Sequence, residues 1–264
     1  MKRVKVSSTS SIQRWASRQL ADYDACHPGT IFAEGIVVDV AQGYELQSAV
    51  AQLRLDRGER IIGYKVGCTS PKIRAQLGIG HCVTGLLFDS EYHSSGAMLS
   101  RKRFANLAIE GELAVRLSRE PTEDDFSGDD IPACVARIIP VIELHNQVMR
   151  GAEPSAGELI ANNAIHAGFV AGPGVSPQEM GDEPSLSISA DDRLLERCAG
   201  STLIQTIRSS LKWLNDMVRH RGDRLHAGQI ILTGSIPALI PIVEDCCVRV
   251  DAPPFGSVEV KFVT

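Results

Sequence analysis

The chain has 264 residues, 44% of them hydrophobic and 22% charged, which is enough apolar material for one large domain and argues against disorder. A net charge of −5, with no basic excess, argues against a nucleic-acid partner. No apolar run is long enough to span a bilayer, and the basic start (Met1, Lys2, Arg3, Val4, Lys5) has no apolar signal core after it, so a cytoplasmic protein with no membrane partner is expected.

The first predicted element is a helix over 11–24, with Ile12, Trp15, Leu20 and Tyr23 on its apolar face. Pro28, Gly29, Gly35 and Gly43 predict loops over 27–43, and a second helix is predicted over 44–57, ended by Gly58. A strand follows at 61–67. Ser70-Pro71 then reads as an N-cap with proline in the first turn of a short helix reaching Leu77. Short strand pieces fill 82–99, broken by Gly85 and Gly96, before a strong strand at 107–117. The acidic stretch 119–130 reads as an exposed loop. A helix is predicted near 130–138, then a strand from Ile139 to Leu144, a helix over 155–162 and a strand to Ala171. Pro173, Gly174, Pro177, Gly181 and Pro184 mark a long connection. A strand at 185–190, a helix at 201–219 and strands at 229–233, 246–251 and 257–263 complete the chain. The pattern is α+β: a mixed β-barrel or rolled sheet with helices around it and a helical N-terminal region. Residues 1–60 form that region and 61–264 a β-rich domain, together one structural unit.

Seven cysteines at scattered positions form no disulfide framework and no Cys-x-x-Cys pair, so they read as free thiols and zinc is disfavoured. No P-loop, Gly-x-Gly-x-x-Gly or Gly-x-Ser-x-Gly elbow is present.

Three segments carry chemistry. In Leu107–Leu117, strand alternation puts Glu110 and Glu112 on one face, their Cβ atoms roughly 6–7 Å apart. Such a pair can converge on a hard cation; taken alone, an exposed strand face explains it as well. In Ile138–His145 one carboxylate, Glu143, interrupts an apolar strand and needs a partner if buried. His145 would share its face, as a proton carrier or, more simply, as the end of the strand. In Ile61–Gly67, Lys65 shares a face with Gly63 and Gly67, leaving room for a ligand beside its ammonium or for a desolvated, more acidic lysine. Oxygen donors without a Cys/His cluster suit Mg2+ or Mn2+.

Together these segments resemble a known family. Gly63–Lys72 is similar to the Lys-Val-Gly-Leu-Thr-Ser segment of bacterial 2-hydroxypentadienoate hydratases and 4-oxalocrotonate decarboxylases, a branch of the fumarylacetoacetate hydrolase superfamily. Ile109–Ala114 resembles its Ile-Glu-x-Glu metal motif, Pro140–Glu143 the segment of the third ligand, Gln229–Ser235 the Thr-Gly motif lining the pocket, and Gly256–Val258 the closing strand. The resemblance implies a cation on Glu110, Glu112 and Glu143, Lys65 and Asp89 as catalytic groups, and Asn163, Thr233, Gly234 and Ser235 against the substrate. It further implies that 2-oxo acids or their enols are chelated through the oxo and carboxylate oxygens, with an enolate stabilised by the metal. Two stretches depart from the pattern: the family's acidic pair reads Asp89-Ser90-Glu91 here, and its Asp-Asn-Ala-Ser stretch reads Asn162-Asn163-Ala164-Ile165.

The leading expectation is a hydratase of a 2-hydroxy-2,4-dienoate, followed by a decarboxylase of a 2-oxo-enedioate. An acylpyruvate C–C hydrolase comes third, for want of a Gly-Arg-Asn-Tyr-like segment; His27 and Glu34 form an incidental substitute pair. A non-catalytic partner subunit comes last. The family implies a homo-oligomer, association of hydratases with decarboxylases, and a setting in aromatic ring degradation.

Overall fold

The structure is a computed structural model and describes residues 9–153, 155–179 and 183–264. The basic first residues and Gly181 of the connection lie outside them. Helices α1 (Thr9–Asp24), α2 (Thr30–Ala33) and α3 (Val40–Asp56) come first. Strand β1 (Ile61–Gly67), helix α4 (Pro71–Gln76) and strands β2 (Val83–Phe88), β3 (Tyr92–Ser94) and β4 (Ala97–Ser100) follow. The long strands β5 (Leu107–Leu117) and β6 (Val135–Asn146) precede α5 (Ala156–Ala161) and β7 (His166–Ala171). The chain then forms β8 (Ser185–Ala190), β9 (Arg193–Ala199), α6 (Ser201–His220), β10 (Ile230–Leu232), β11 (Ile240–Pro241), β12 (Cys246–Asp251) and β13 (Ser257–Val263).

Among the described residues the strands form two mixed sheets. The larger runs β2-β1-β10-β5-β6-β7-β3, with β11 also on β5; the smaller runs β4-β13-β12-β8-β9. The larger sheet ends at β2 and β3 without closing into a barrel. The smaller one packs on the face of β5 opposite Glu110 and Glu112. There a Cβ at Gly111 would lie 2.7 Å from Ile188 and 2.9 Å from Val250, so the glycine between the two glutamates is required by sheet-on-sheet packing. The main core joins both sheets to α6, whose Leu203, Ile207, Leu211, Leu214 and Val218 are buried at the helical spacing read from the sequence.

Several local expectations fail for identifiable reasons. The helix α3 begins at Val40, because Asp39 and Gln42 form a reciprocal capping box inside the stretch expected to be loop. Gly43 belongs to that helix, which crosses α5 so closely that a Cβ there would meet the Gly157 carbonyl at 2.6 Å. The helix expected near 130–138 is absent; β6 begins at Val135, where Val135, Arg137 and Ile138 pair with Leu117, Arg116 and Val115. Long-range pairing with β5 overrides the local pattern. Strand β9 went unpredicted. Ser70 makes no side-chain cap; Arg74 instead donates to the carbonyls of Cys68 and Thr69. All seven cysteines are free. No described helix is long and apolar enough to cross a membrane.

Candidate functional site

The antiparallel register of β5 and β6 places Glu110 directly opposite Glu143, with Glu112 two residues along the same face. Glu112 and Glu143 are buried, at 2% and 1% exposure. β1 reaches the cluster from the other side of β10, which lies between β1 and β5. Lys65 Nζ lies 2.9 Å from Glu143 Oε1 and donates to the Ala164 carbonyl at 3.2 Å. That carbonyl is presented by Asn163, Ala164 and Ile165, three consecutive residues with φ near +55° (54°, 52° and 57°). Left-handed backbone at non-glycine residues costs about 1–2 kcal/mol each, and such strain collects at functional sites.

Two histidines complete the cluster. His145 Nε2 is 3.3 Å from Glu110 Oε2 and 3.6 Å from Glu143 Oε2, and neither of its ring nitrogens has a hydrogen-bond partner. His145 is thus part of the cluster rather than simply the end of a strand. His166 Nδ1 is 2.7 Å from Glu143 Oε1, while its Nε2 faces Glu91 Oε2 at 4.0 Å.

Burial sets the electrostatics. It raises the Glu112 carboxyl, and the neighbouring Glu143 and Glu110 raise it further, so Glu112 retains a proton well above the ordinary carboxylate range. Burial also pushes Glu143 up, but Lys65, His145 and His166 outweigh it and hold Glu143 well below that range. Burial lowers Lys65, yet Glu143 and Glu110 outweigh it and the ammonium is held more firmly than in water. The lysine is therefore a firmly held cation, not the easily deprotonated amine that desolvation alone would produce.

The described residues fit a hard divalent cation. Ligand atoms of Glu110, Glu143 and His145 lie within 4.8 Å of one another. Glu112 accepts from the Gly234 N–H through Oε2, and its buried Oε1 has no partner. A cluster of carboxylates with an orphaned oxygen matches the oxygen donor sets that Mg2+ and Mn2+ prefer.

The remaining predicted residues separate into support and absence. Thr233 donates to the Leu113 carbonyl at 2.6 Å, and its own carbonyl accepts from Ser210. Gly234 has φ 95°, and a Cβ there would lie 2.6 Å from Thr69 Cγ2. Ser235 donates to the Gly111 and Pro237 carbonyls. Asn163 is doubly hydrogen-bonded to the Leu86 backbone. The polar side-chain atoms of Thr233, Ser235 and Asn163 are thus engaged within the chain, and the Gly234 N–H is the group of this set that contacts Glu112. Asp89 is a correction: its carboxylate accepts from Arg60 at the surface, away from the cluster. The neighbouring inward acid is Glu91, because β2 stops at Phe88 and a tight turn over Asp89–Glu91 breaks strand alternation. His27 and Glu34 do not pair; they contact Arg150 and Arg18 respectively.

Beside His166 a cavity of about 40 Å3 opens between α1, α3 and the Asn162–His166 segment, lined by Leu20, Val50, Ala51, Arg54, Phe88 and Ile165 among others. Sequence reasoning missed Glu91, His166 and this cavity, since each depends on contacts between distant segments.

The chain is similar to known proteins over most of its length. The model for fumarylacetoacetate (FAA) hydrolase, C-terminal, matches residues 89–261. Identity is 27% over 228 residues to a 2-keto-4-pentenoate hydratase of Paraburkholderia phymatum, covering 85% of this chain and 86% of that one. It is 25% over 220 residues to a 4-oxalocrotonate decarboxylase of Pseudomonas sp., covering 83% and 86%. The solved structure of the 4-oxalocrotonate decarboxylase from Pseudomonas putida G7, complexed with magnesium and adipate, shares the fold at a TM-score of 0.87. It covers 99% of this chain and 100% of that one at 23% identity.

Proposed function

The chain belongs to the fumarylacetoacetate (FAA) hydrolase C-terminal family, and on that premise we propose that it is a lyase, a hydratase adding water to a 2-hydroxy-2,4-dienoate. The observation that carries this reading is the Glu110–Glu112–Glu143 cluster, with Glu112 and Glu143 buried and Glu110 half-buried, the Lys65 ammonium 2.9 Å from Glu143 and an unpartnered oxygen on Glu112. Similarity to hydratases over 85% of the chain supports it. Glu110, Glu112 and Glu143 would hold Mg2+ or Mn2+, with His145 beside them. When bound, the cation supplies Lewis acidity toward the oxo and carboxylate oxygens of a 2-oxo acid.

The chain's own residues do the rest. Gly234 N–H fixes Glu112. His166 fixes Glu143. Lys65, held as an ammonium, anchors a substrate carboxylate or delivers a proton to the ketonising dienol. The helices of residues 9–60 and the domain 61–264 act as one unit, a reading supported by α5's Ala161, which is buried among Ile12, Trp15, Phe32 and Leu46. The partner is a small 2-oxo acid or its dienol. A homo-oligomer is part of the same reading, with sedimentation velocity as its check.

Ultraviolet absorbance of fresh 2-hydroxypenta-2,4-dienoate, with Mg2+ or EDTA, tests the hydratase. Metal-dependent loss of the dienol and formation of 4-hydroxy-2-oxopentanoate, both abolished in Glu112→Gln, are expected. No turnover with Glu112-dependent Mn2+ binding intact would reject the substrate and keep the site. No metal binding at all would leave the partner-subunit reading. A second reading, decarboxylation of a 2-oxo-enedioate, is favoured by the 25% identity to decarboxylases and by the decarboxylase fold match. Release of CO2 from that substrate is its test.

A further inference from the structure

His166 and Glu91 meet where two spaces adjoin. The cavity between the N-terminal helices and the Asn162–His166 segment is lined by His166. A second opening, of about 250 Å3, is lined by Glu91 together with Ser90, His93 and Arg103. Tyr23, Arg54 and Asn146 border both spaces. At this junction His166 Nε2 and Glu91 Oε2 face each other across 4.0 Å. The two residues are 1% and 6% exposed, and neither atom has a hydrogen-bond partner.

Both atoms are acceptors. An ionised carboxylate only accepts, so Glu143 Oε1 takes the Nδ1–H of His166 at 2.7 Å and the imidazole presents a lone pair at Nε2. Glu91 Oε1 accepts from the Tyr23 hydroxyl at 2.5 Å and from Arg54 Nη1 at 2.7 Å, which leaves Oε2 as its free oxygen. Arg54 is fixed in that role, because its Nε and Nη2 are held by Glu59 and its guanidinium lies 3.6 Å from the Phe88 ring centroid. Two acceptors 4.0 Å apart are too distant to bond directly, and buried acceptors left unmatched are costly. One water answers both: donating its two hydrogens, it spans acceptors roughly 4–4.5 Å apart.

We propose that His166 Nε2 and Glu91 Oε2 seat the water that adds to the substrate, and that Glu91 is the base that takes its proton. The inference rests on the hydratase reading and deepens it. With both hydrogens engaged, the lone pairs of this water are turned away from the two acceptors and are free to attack. The water oxygen bonds to C4 of the ketonised substrate, 2-oxopent-3-enoate, as one O–H bond breaks and its proton passes to Glu91 Oε2. The C3–C4 π pair moves into the C2–C3 bond, and the carbonyl pair moves onto the 2-oxo oxygen. C3 then takes a proton from solvent as the carbonyl re-forms, and Glu91 returns one proton to solvent. The sum is one water added across C3 and C4. Arg54 and Tyr23, both on Oε1, keep the carboxylate oriented while Oε2 works.

The test gives full-length, Mg2+-loaded protein fresh 2-hydroxypenta-2,4-dienoate and follows products by proton NMR, which separates 2-oxopent-3-enoate from 4-hydroxy-2-oxopentanoate. Glu91→Gln keeps an acceptor for Tyr23 and Arg54 but turns an N–H2 group toward the water. Formation of 4-hydroxy-2-oxopentanoate should fall about 100-fold in this variant, and 2-oxopent-3-enoate should accumulate as the dienol is consumed. Hydration at the wild-type rate overturns the proposal. So does a variant in which dienol loss and hydration slow together without that accumulation, the pattern a purely structural role would give. Wild-type protein that consumes no dienol overturns the hydratase reading, and this proposal with it. Where Glu91→Gln does not fold, a crystal structure of the Mg2+-loaded wild type decides. A water within about 3.2 Å of both His166 Nε2 and Glu91 Oε2 is expected, and a structure without one overturns the proposal.

Discussion

Lys65 and Gly85 are direct partners across the β1–β2 ladder, and the lysine stem lies over the glycine. A Cβ at Gly85 would sit 2.8 Å from Lys65 Cγ, 3.1 Å from its Cδ and 2.8 Å from the Asn163 carbonyl. The glycine packed most tightly on the lysine is therefore on the neighbouring strand, while Gly67, as alternation suggested, also borders it, a Cβ there lying 3.6 Å from Lys65 Cε. Gly63, which alternation suggested, instead admits the β10 backbone, whose Ile230 carbonyl would lie 1.8 Å from a Cβ there. Gly85→Ala should displace the ammonium and lower kcat on the dienoate at least about tenfold, since ångström-scale misplacement of an acting group is costly. Unchanged kcat in a folded Gly85→Ala protein would show that the placement is not needed.

Lys65 also supplies the counter-charge to Glu143. Lys65→Met should destabilise the metal-free protein by about 3 kcal/mol, because one member of a buried pair is left without the other. Saturating Mg2+ should recover much of that loss by mass action on the folded state. Thermal melts with Mg2+ and with EDTA provide the check; equal loss in both would argue that the two cations do not share the cluster.

Glu112 gives the opposite pattern. It retains its proton without a cation, and its Oε1 has no partner, so Glu112→Gln should change metal-free stability by less than about 1 kcal/mol. Mn2+ affinity, read by electron paramagnetic resonance titration, should fall by at least about tenfold. A strongly destabilised variant with normal Mn2+ affinity would reverse the assignment.

The acidic stretch after β5 has its own pH signature. Asp125 is bound by both terminal nitrogens of Arg119 at 2.7 Å and accepts from the Thr122 and Cys134 backbone, which pins a segment the sequence suggested was a free loop. The Arg119 hydrogen bonds, aided by Thr122, hold the carboxyl at about 2; an unfolded Asp titrates near 3.9. The depressed value means the contribution is complete above about pH 4 and is lost as pH falls toward 2, on the order of 2 kcal/mol in all. Denaturant melts across this window should show a smaller pH slope in Asp125→Asn, and identical slopes would exclude the role.

Much of this was legible in the sequence where the cause is local. β1, β5, β8, β12 and β13 lie at the predicted bounds, because continuous or alternating apolar residues end at clear breaks. Alternation alone put Glu110 and Glu112 on one face. Asp89 and Glu91 could not be sorted that way, because a tight turn replaces the strand at Asp89 and exchanges which acid faces inward. His145 and His166 are opposed only through a register shift between Leu144 and His145, and such a bulge leaves no periodic signal. Arg54 and Tyr23 reach the site through helix-on-sheet packing, which one chain's pattern does not encode.

The matched family segment begins at Asp89, whereas β1 and β2 lie wholly before it. Both strands belong to the larger sheet, and β1 covers the open side of β10. A fragment cut at the family boundary would keep all three carboxylates and lose the ammonium that balances them. It would also bare a hydrophobic strand edge, the kind of surface through which chains pair with one another and precipitate. β1 and β2 are therefore a condition for the rest to persist as a charge-balanced fold, and an excised family segment should aggregate.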